Sequence, residues 1–200
     1  ILEGPGDQTG LKQLTQEIQI SGSLFDEKLQ YTAGAYYYDM HGHDNSNGEL
    51  ELPFLNPLNP VHTLDYLTDT STSGYGQPTY AILPTLHITG GIRYTSEDTG
   101  LVTRSVVGPQ NKCNVPPPAS VGGVPCVGNF KTNFTNISYT GSVDWQVLQN
   151  TMVYFRTGRG FKAGGQNQRG SVLGGYDFFA PEIVTDYEVG FKTDLFDHKL

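Results

Sequence analysis

The sequence predicts an all-β fold, an antiparallel up-and-down transmembrane β-barrel. Three observations predict it: period-two segments with one charge-free face, connections that alternate short and long, and strands of membrane-spanning length. The first is sharpest in PEIVTDYEVGFKTDLF (181–196). Tyr187, Val189, Phe191 and Leu195 share one parity, with Thr193 the only polar member, while Asp186, Glu188, Lys192 and Asp194 share the other. Successive side chains of a strand point to opposite faces, so this segment has one charge-free and one charged face. A helix would smear those charges around its circumference.

Taken in order, residues 15–24 (TQEIQISGSL) alternate through Ile18, Ile20 and Leu24, and 25–28 form a short turn. Residues 29–40 place Leu29, Tyr31, Ala33, Ala35 and Tyr37 on one face. An irregular connection, 41–69, follows, rich in Pro, Asn and Asp, which favour turns. Residues 70–82 form the next expected strand, although Pro78 cannot donate to a ladder. A tight turn at Pro84 leads into 86–97, where Leu86, Ile88, Ile92 and Tyr94 oppose His87, Thr89 and Arg93. A second long connection, 98–133, precedes 134–147, where Ile137, Tyr139, Val143, Trp145 and Val147 oppose polar residues. After a turn at 148–151 come 152–163, a third long connection at 164–181, and the strand 182–196.

In a meander, successive connections lie at opposite ends of the sheet, so all the long ones gather at one end and the tight turns at the other. Outer-membrane barrels have this asymmetry. Twelve residues tilted by ~45° rise about 28 Å, against an apolar band ~25 Å tall. Tyr36, Tyr37, Tyr38 and Tyr94 suit an interfacial aromatic girdle. A one-residue slip of the last strand would turn Lys192 and three carboxylates towards lipid, at roughly 2–4 kcal/mol for a mid-bilayer Lys. A soluble antiparallel sandwich, such as a secreted binding module, also alternates and is the alternative reading.

Composition agrees. Apolar residues make up 36% of 200 residues, Gly (25) and Tyr (12) are plentiful, and the formal charge is −8. No apolar run approaches the ~18 residues of a membrane helix. The scattered basic residues exclude a nucleic-acid footprint. The chain opens ILEGPGDQTG, without an initiator Met or signal-peptide pattern, so the natural protein is expected to begin upstream. Cys113 and Cys126 bound CNVPPPASVGGVPC with no His at zinc-finger spacing. A local disulfide closing a loop of about 14 residues is expected, stabilising by roughly 3 kcal/mol and implying an oxidising compartment. Two free thiols are the alternative.

Five segments, TQEIQISG (15–22), LQYTAGAYYY (29–38), LHITGGIRYTSE (86–97), VYFRTGRGFKAGGQN (153–167) and PEIVTDYEVGFKTDLFDHKL (181–200), resemble in order and spacing the barrel region of TonB-dependent outer-membrane receptors, especially the siderophore-receptor-like branch. The resemblance implies that 1–200 is part of a 22-stranded barrel around a plug, contributing about seven strands. It implies energised uptake of a scarce ligand, a ferric siderophore by default. Vitamin B12, haem or saccharides are taken up by other relatives. The implied partners are that ligand, TonB–ExbB–ExbD acting through the plug, and outer-membrane lipid. A passive porin is the alternative within membranes. Pro78 and the cysteine pair depart from the family pattern.

Candidate chemistry is sparse. Asp39, His41, His43 and Asp44 (DMHGHD) are the nearest approach to a metal cluster, since imidazole with carboxylate can hold a transition metal. They are candidate ligand contacts, or else solvated polar residues at a strand tip. Arg156, Arg159 and Lys162 are candidates to line the lumen and attract an anionic ligand, or to pair with lumen carboxylates. GRGFKAGG (158–165) lacks the spacing of a phosphate loop. Asn133-Phe134-Thr135 and Asn136-Ile137-Ser138 match a glycosylation pattern that a bacterial barrel makes incidental. No nucleophile–base signature is present, so neither catalysis nor a cofactor is expected.

Overall fold

A computed structural model describes residues 2–3, 8–49, 60–115, 120–121, 123–167 and 178–194. Among them, seven long strands form one antiparallel sheet: β1 (Gln8–Leu24), β2 (Leu29–Glu49), β3 (Val61–Leu83), β4 (Leu86–Val107), β5 (Val127–Leu148), β6 (Thr151–Lys162) and β7 (Glu182–Thr193). Each pairs with its neighbour in sequence, giving the order β1-β2-β3-β4-β5-β6-β7. No helix occurs among the described residues, and the other sheets there are two-stranded ribbons of two residues a strand (Ser120–Val121 with Val124–Pro125, Gly165–Gln166 with Phe178–Phe179), too small to be the second layer of a sandwich. The turn after β1 holds Asp26 and Glu27 at φ 54° and 65°, in the left-handed region that primed hairpin turns use to match strand twist.

The tight turns fall where expected, but the strands outrun their expected upper ends. β2 continues through Glu49, β3 begins at Val61, β4 reaches Val107 and β5 starts at Val127, so strand takes up much of the first two expected long connections, whereas β6 ends at Lys162 and β7 begins at Glu182, next to the expected third. Leu195 lies outside the described residues. Pro78 sits within β3 opposite Tyr31, yet the β3–β4 ladder passes from Gly76↔Ile92 to Thr79↔Thr89 without pairing Gln77 or Pro78. The missing N–H interrupts the ladder locally and leaves its register unchanged.

Register places the side chains. Cross-strand partners share a face, so Ile20, Ala33, Gly76, Ile92, Tyr139, Arg159 and Thr185 form one row. Below it on that face come a row of Gly22, Tyr31, Pro78, Gly90, Gly141, Thr157 and Tyr187, and then one of Leu24, Leu29, Tyr80, Ile88, Val143, Phe155 and Val189. Side chains on this face are bare even on strands paired at both sides: Ile92 is 58% exposed, Ile137 53% and Trp145 50%. So large an exposed apolar face has no place in water. It fits lipid, while the opposite parity holds Glu17, Arg93, Asp144, Arg156, Asp186, Glu188 and Lys192.

Each hairpin also steps down the ladder from the last. Leu29, at the first turn, pairs with Tyr80, three residues short of Leu83, and Leu86 pairs with Trp145, three short of Leu148. Three residues of stagger per two strands, at ~3.3 Å rise and ~4.8 Å strand spacing, tilts the strands by about 45°. That is the shear of a barrel wall.

The core lies only at the end away from the turns. Leu101, Val106, Val115, Val127 and Phe134 are buried there. Asn114 and Val115, after β4, lie over the inner face: Asn114 Nδ2 donates to Ser105 Oγ at 3.2 Å, and Val115 packs at Gly128. Cys113 and Cys126 are disulfide-bonded, as expected. Gln166, after β6, adds a second cover, its Nε2 donating to Thr99 Oγ1 and Thr132 Oγ1, both at 3.2 Å. Below this cap the sheet is one layer thick, and its inner face is lined by polar networks.

Candidate ligand-facing site

Two clusters rise from the inner face. In the first, β1, β2, β3 and β4 bring together Glu17, Tyr36, Tyr75 and Arg93. Tyr75 Oη donates to Glu17 Oε1 at 2.6 Å, and the Arg93 guanidinium lies 5.3 Å from the Tyr36 ring centre and 5.8 Å from that of Tyr75. Gly34 makes the arrangement possible, because a Cβ there would sit 2.7 Å from Tyr75 Oη. In the second, β5, β6 and β7, with Gln77 of β3 and Thr89 of β4, line a groove of ≈ 420 Å³ that includes Asp144, Met152, Tyr154, Arg156, Glu188 and Lys192. Tyr154 Oη donates to Glu188 Oε1 at 2.6 Å, and Lys192 Nζ stands 5.7 Å from the Tyr154 ring centre. Gly190 leaves space for that ring, as Gly34 does for Tyr75.

Above these, nearer the cap, Asp69 faces inward opposite Met40 and Thr99. Its Oδ1 is buried and accepts no hydrogen bond, and burial holds its carboxyl above the usual carboxylate range.

The expected site residues divide by parity. Arg156 enters the second groove, and Lys162 lies on the same inner face at the top of β6. Asp44 faces inward and accepts from Thr9 Oγ1 at 3.0 Å. Asp39, His41 and His43 turn to the outer face, where His41 Nε2 lies 3.1 Å from Asp39 Oδ2. DMHGHD is thus split across the sheet, and no group of three metal-ligating side chains converges among the described residues. Arg159 corrects the expectation that it lines the lumen. It stands three residues from Arg156, an odd interval, and so joins Tyr139 and Thr185 on the outer face.

The first cluster was not singled out from the sequence, although its signal was present. Glu17 precedes Ile18, and Arg93 lies between Ile92 and Tyr94. Parity alone put both opposite the lipid-facing set. What spacing could not give was the pairing of strands far apart in sequence.

A TonB-dependent receptor-like β-barrel family model matches residues 4–200. The chain belongs to this family. No curated protein sequence matches it. Among solved structures it is similar to the ferric yersiniabactin uptake receptor FyuA from Yersinia pestis, with TM-score 0.74 and 18% identity over 94% of this chain and 27% of that one. The siderophore receptor PiuA from Acinetobacter baumannii gives TM-score 0.67 at 15% identity over 96% and 30%. The ferric-catecholate import receptor Fiu from E. coli K12 gives TM-score 0.67 at 14% identity over 96% and 30%. At these identities the likeness is one of fold, and the chain spans under a third of each receptor's length. TonB-dependent receptors are transporters of the Gram-negative outer membrane, not enzymes, so the clusters on the inner wall are candidates for binding.

Proposed function

We propose that the complete receptor takes up a ferric siderophore across the outer membrane, energised through the TonB system, and that this chain supplies part of the barrel wall facing the ligand's path. The observation that carries the reading is the groove that runs from Gln77 on β3 to Lys192 on β7, where Arg156 and Lys192 flank Tyr154 on the inner face. Many ferric chelates are anionic and carry flat aromatic groups. Guanidinium and ammonium groups attract the charge, and a Tyr face adds stacking area. The solved receptors of similar fold are described as taking up ferric yersiniabactin or ferric catecholates, or as siderophore receptors, which agrees with this ligand class.

The test uses the full-length receptor in outer-membrane vesicles with iron-55 loaded into a tris-catecholate and a phenolate chelate. One of them is expected to bind, and Arg156→Glu with Lys192→Glu should weaken that binding on the order of tenfold or more, as the loss of one charged contact does. Uptake in cells should stop when the proton-motive force is collapsed. If neither chelate binds and a deletion strain grows normally under iron limitation, the siderophore reading fails while the barrel assignment stands.

A further inference from the structure

Arg159 is a cation on the face that meets lipid. Its cross-strand partners are Tyr139 on β5 and Thr185 on β7, and Tyr187 lies on the same face one pair further down, opposite Thr157. The carboxylates of the flanking strands, Asp144 on β5 and Glu182, Asp186 and Glu188 on β7, all have the other parity and point inward. Among the described residues no acceptor reaches the Arg159 Nε, which is itself shielded from solvent. Among the described residues the Arg159 charge accordingly has no ion-pair partner.

Its height is informative. Arg159 lies eight residues up its strand from Thr151, as Tyr37 does from Leu29 and Tyr94 from Leu86. With the strand tilt derived above, that is about 19 Å above the turns, near the upper edge of a ~25 Å apolar band. An Arg at this level can extend its guanidinium to the headgroups while its stem stays in hydrocarbon. Tyrosine hydroxyls occupy the same zone. A planar fork of N–H donors matches phosphate oxygens in bidentate fashion, and charge-assisted bonds of that kind are short and strong.

We infer that Arg159, with the hydroxyls of Tyr139 and Tyr187, binds the phosphate headgroup of an anionic amphiphile in the outer leaflet. The complex fixes a lipid against β5, β6 and β7 at the girdle. It depends on the outer face meeting lipid and is independent of which ligand the lumen takes.

The test purifies the complete receptor in a neutral detergent after incubation with mixed phosphatidylcholine and phosphatidylglycerol, and counts retained lipids by native mass spectrometry. The wild type is expected to hold one phosphatidylglycerol more than Arg159→Gln, while Arg159→Lys retains part of that excess. In nanodiscs, phosphatidylglycerol should raise the thermal midpoint of the wild type more than that of Arg159→Gln. Equal retention and equal shifts in both proteins overturn the inference. So does an equal shift from inorganic phosphate alone, which would mark a soluble-anion site. Spin labels at Tyr187 that fail to sense lipid-dissolved oxygen would instead bring down the barrel-face assignment, and chelate binding reports on the lumen separately.

Discussion

Gly34 has no room for a side chain, and the reason differs from that at Gly190. A Cβ on Gly34 would lie 2.7 Å from the Ile18 carbonyl oxygen of the neighbouring strand as well as against Tyr75. Backbone in a sheet cannot step aside, so Gly34→Ala is expected to cost about 1–3 kcal/mol, the range of overpacking. At Gly190 the close atoms all belong to the Tyr154 side chain, which can swing away. Gly190→Ala should therefore lower the denaturation midpoint less, while breaking the Tyr154–Glu188 hydrogen bond. Midpoints of the detergent-folded receptor, compared between the two variants, check the order. Asp69 gives a pH-dependent counterpart. Its folded pKa lies above the unfolded value, because burial disfavours the charge. Its contribution is thus most favourable below the unfolded pKa, ~3.9, and is lost as pH rises through the folded value. Asp69→Asn, neutral at every pH, should raise the melting temperature at pH 7 and lose that advantage near pH 4. A gain independent of pH would contradict the burial argument.

At the scale of elements, the cap and the membrane wall obey different rules. The disulfide pins Val115 over the inner face beside Gly128, so Cys113→Ser with Cys126→Ser should destabilise by up to about 3 kcal/mol. Reductant should bring the wild type to the same midpoint. In the wall, Val143 faces lipid about 12 Å above the turn, and Ser142 faces inward. Val143→Lys is expected to cost ~2–4 kcal/mol and Ser142→Lys far less. Equal costs would mean that the two faces are alike. The same contrast explains what was legible in the sequence. Lipid imposes period two, so the turns and the lower halves of all seven strands were readable from Ile18, Ile92, Val143 and Val189. Above the membrane that pressure ends: HGHDNSNGE in β2 has no apolar face to read, and β4 has Leu101 and Val102 on opposite faces. Those segments remain strand because their neighbours extend beside them. Arg159 could have been placed by parity alone. Gln166 bridging Thr99 and Thr132 could not, since only the folded loop brings them together.

The whole sheet has two open edges among its described strands, because β1 pairs only with β2 and β7 only with β6. In hydrocarbon each unpaired N–H or C=O costs several kcal/mol, so such edges are tolerable only when barrel neighbours close them. These 200 residues alone are accordingly expected to aggregate or stay unfolded in detergent, without the heat-modifiable migration of a closed barrel. Within the closed receptor, the tilt and parity together make a finer prediction along β7. Spin labels placed one at a time from Asp186 to Phe191 should alternate, with positions 187, 189 and 191 relaxed by lipid-dissolved oxygen and positions 186, 188 and 190 by a water-soluble nickel chelate. Oxygen accessibility on the outer parity should fall from Tyr187 to Phe191, because each step of two residues descends about 5 Å towards the turns at the lower edge of the bilayer. A period-two signal without that gradient would keep the faces but refute the 45° inclination deduced from the hairpin stagger. Loss of the alternation itself would remove the lipid face, and with it the barrel.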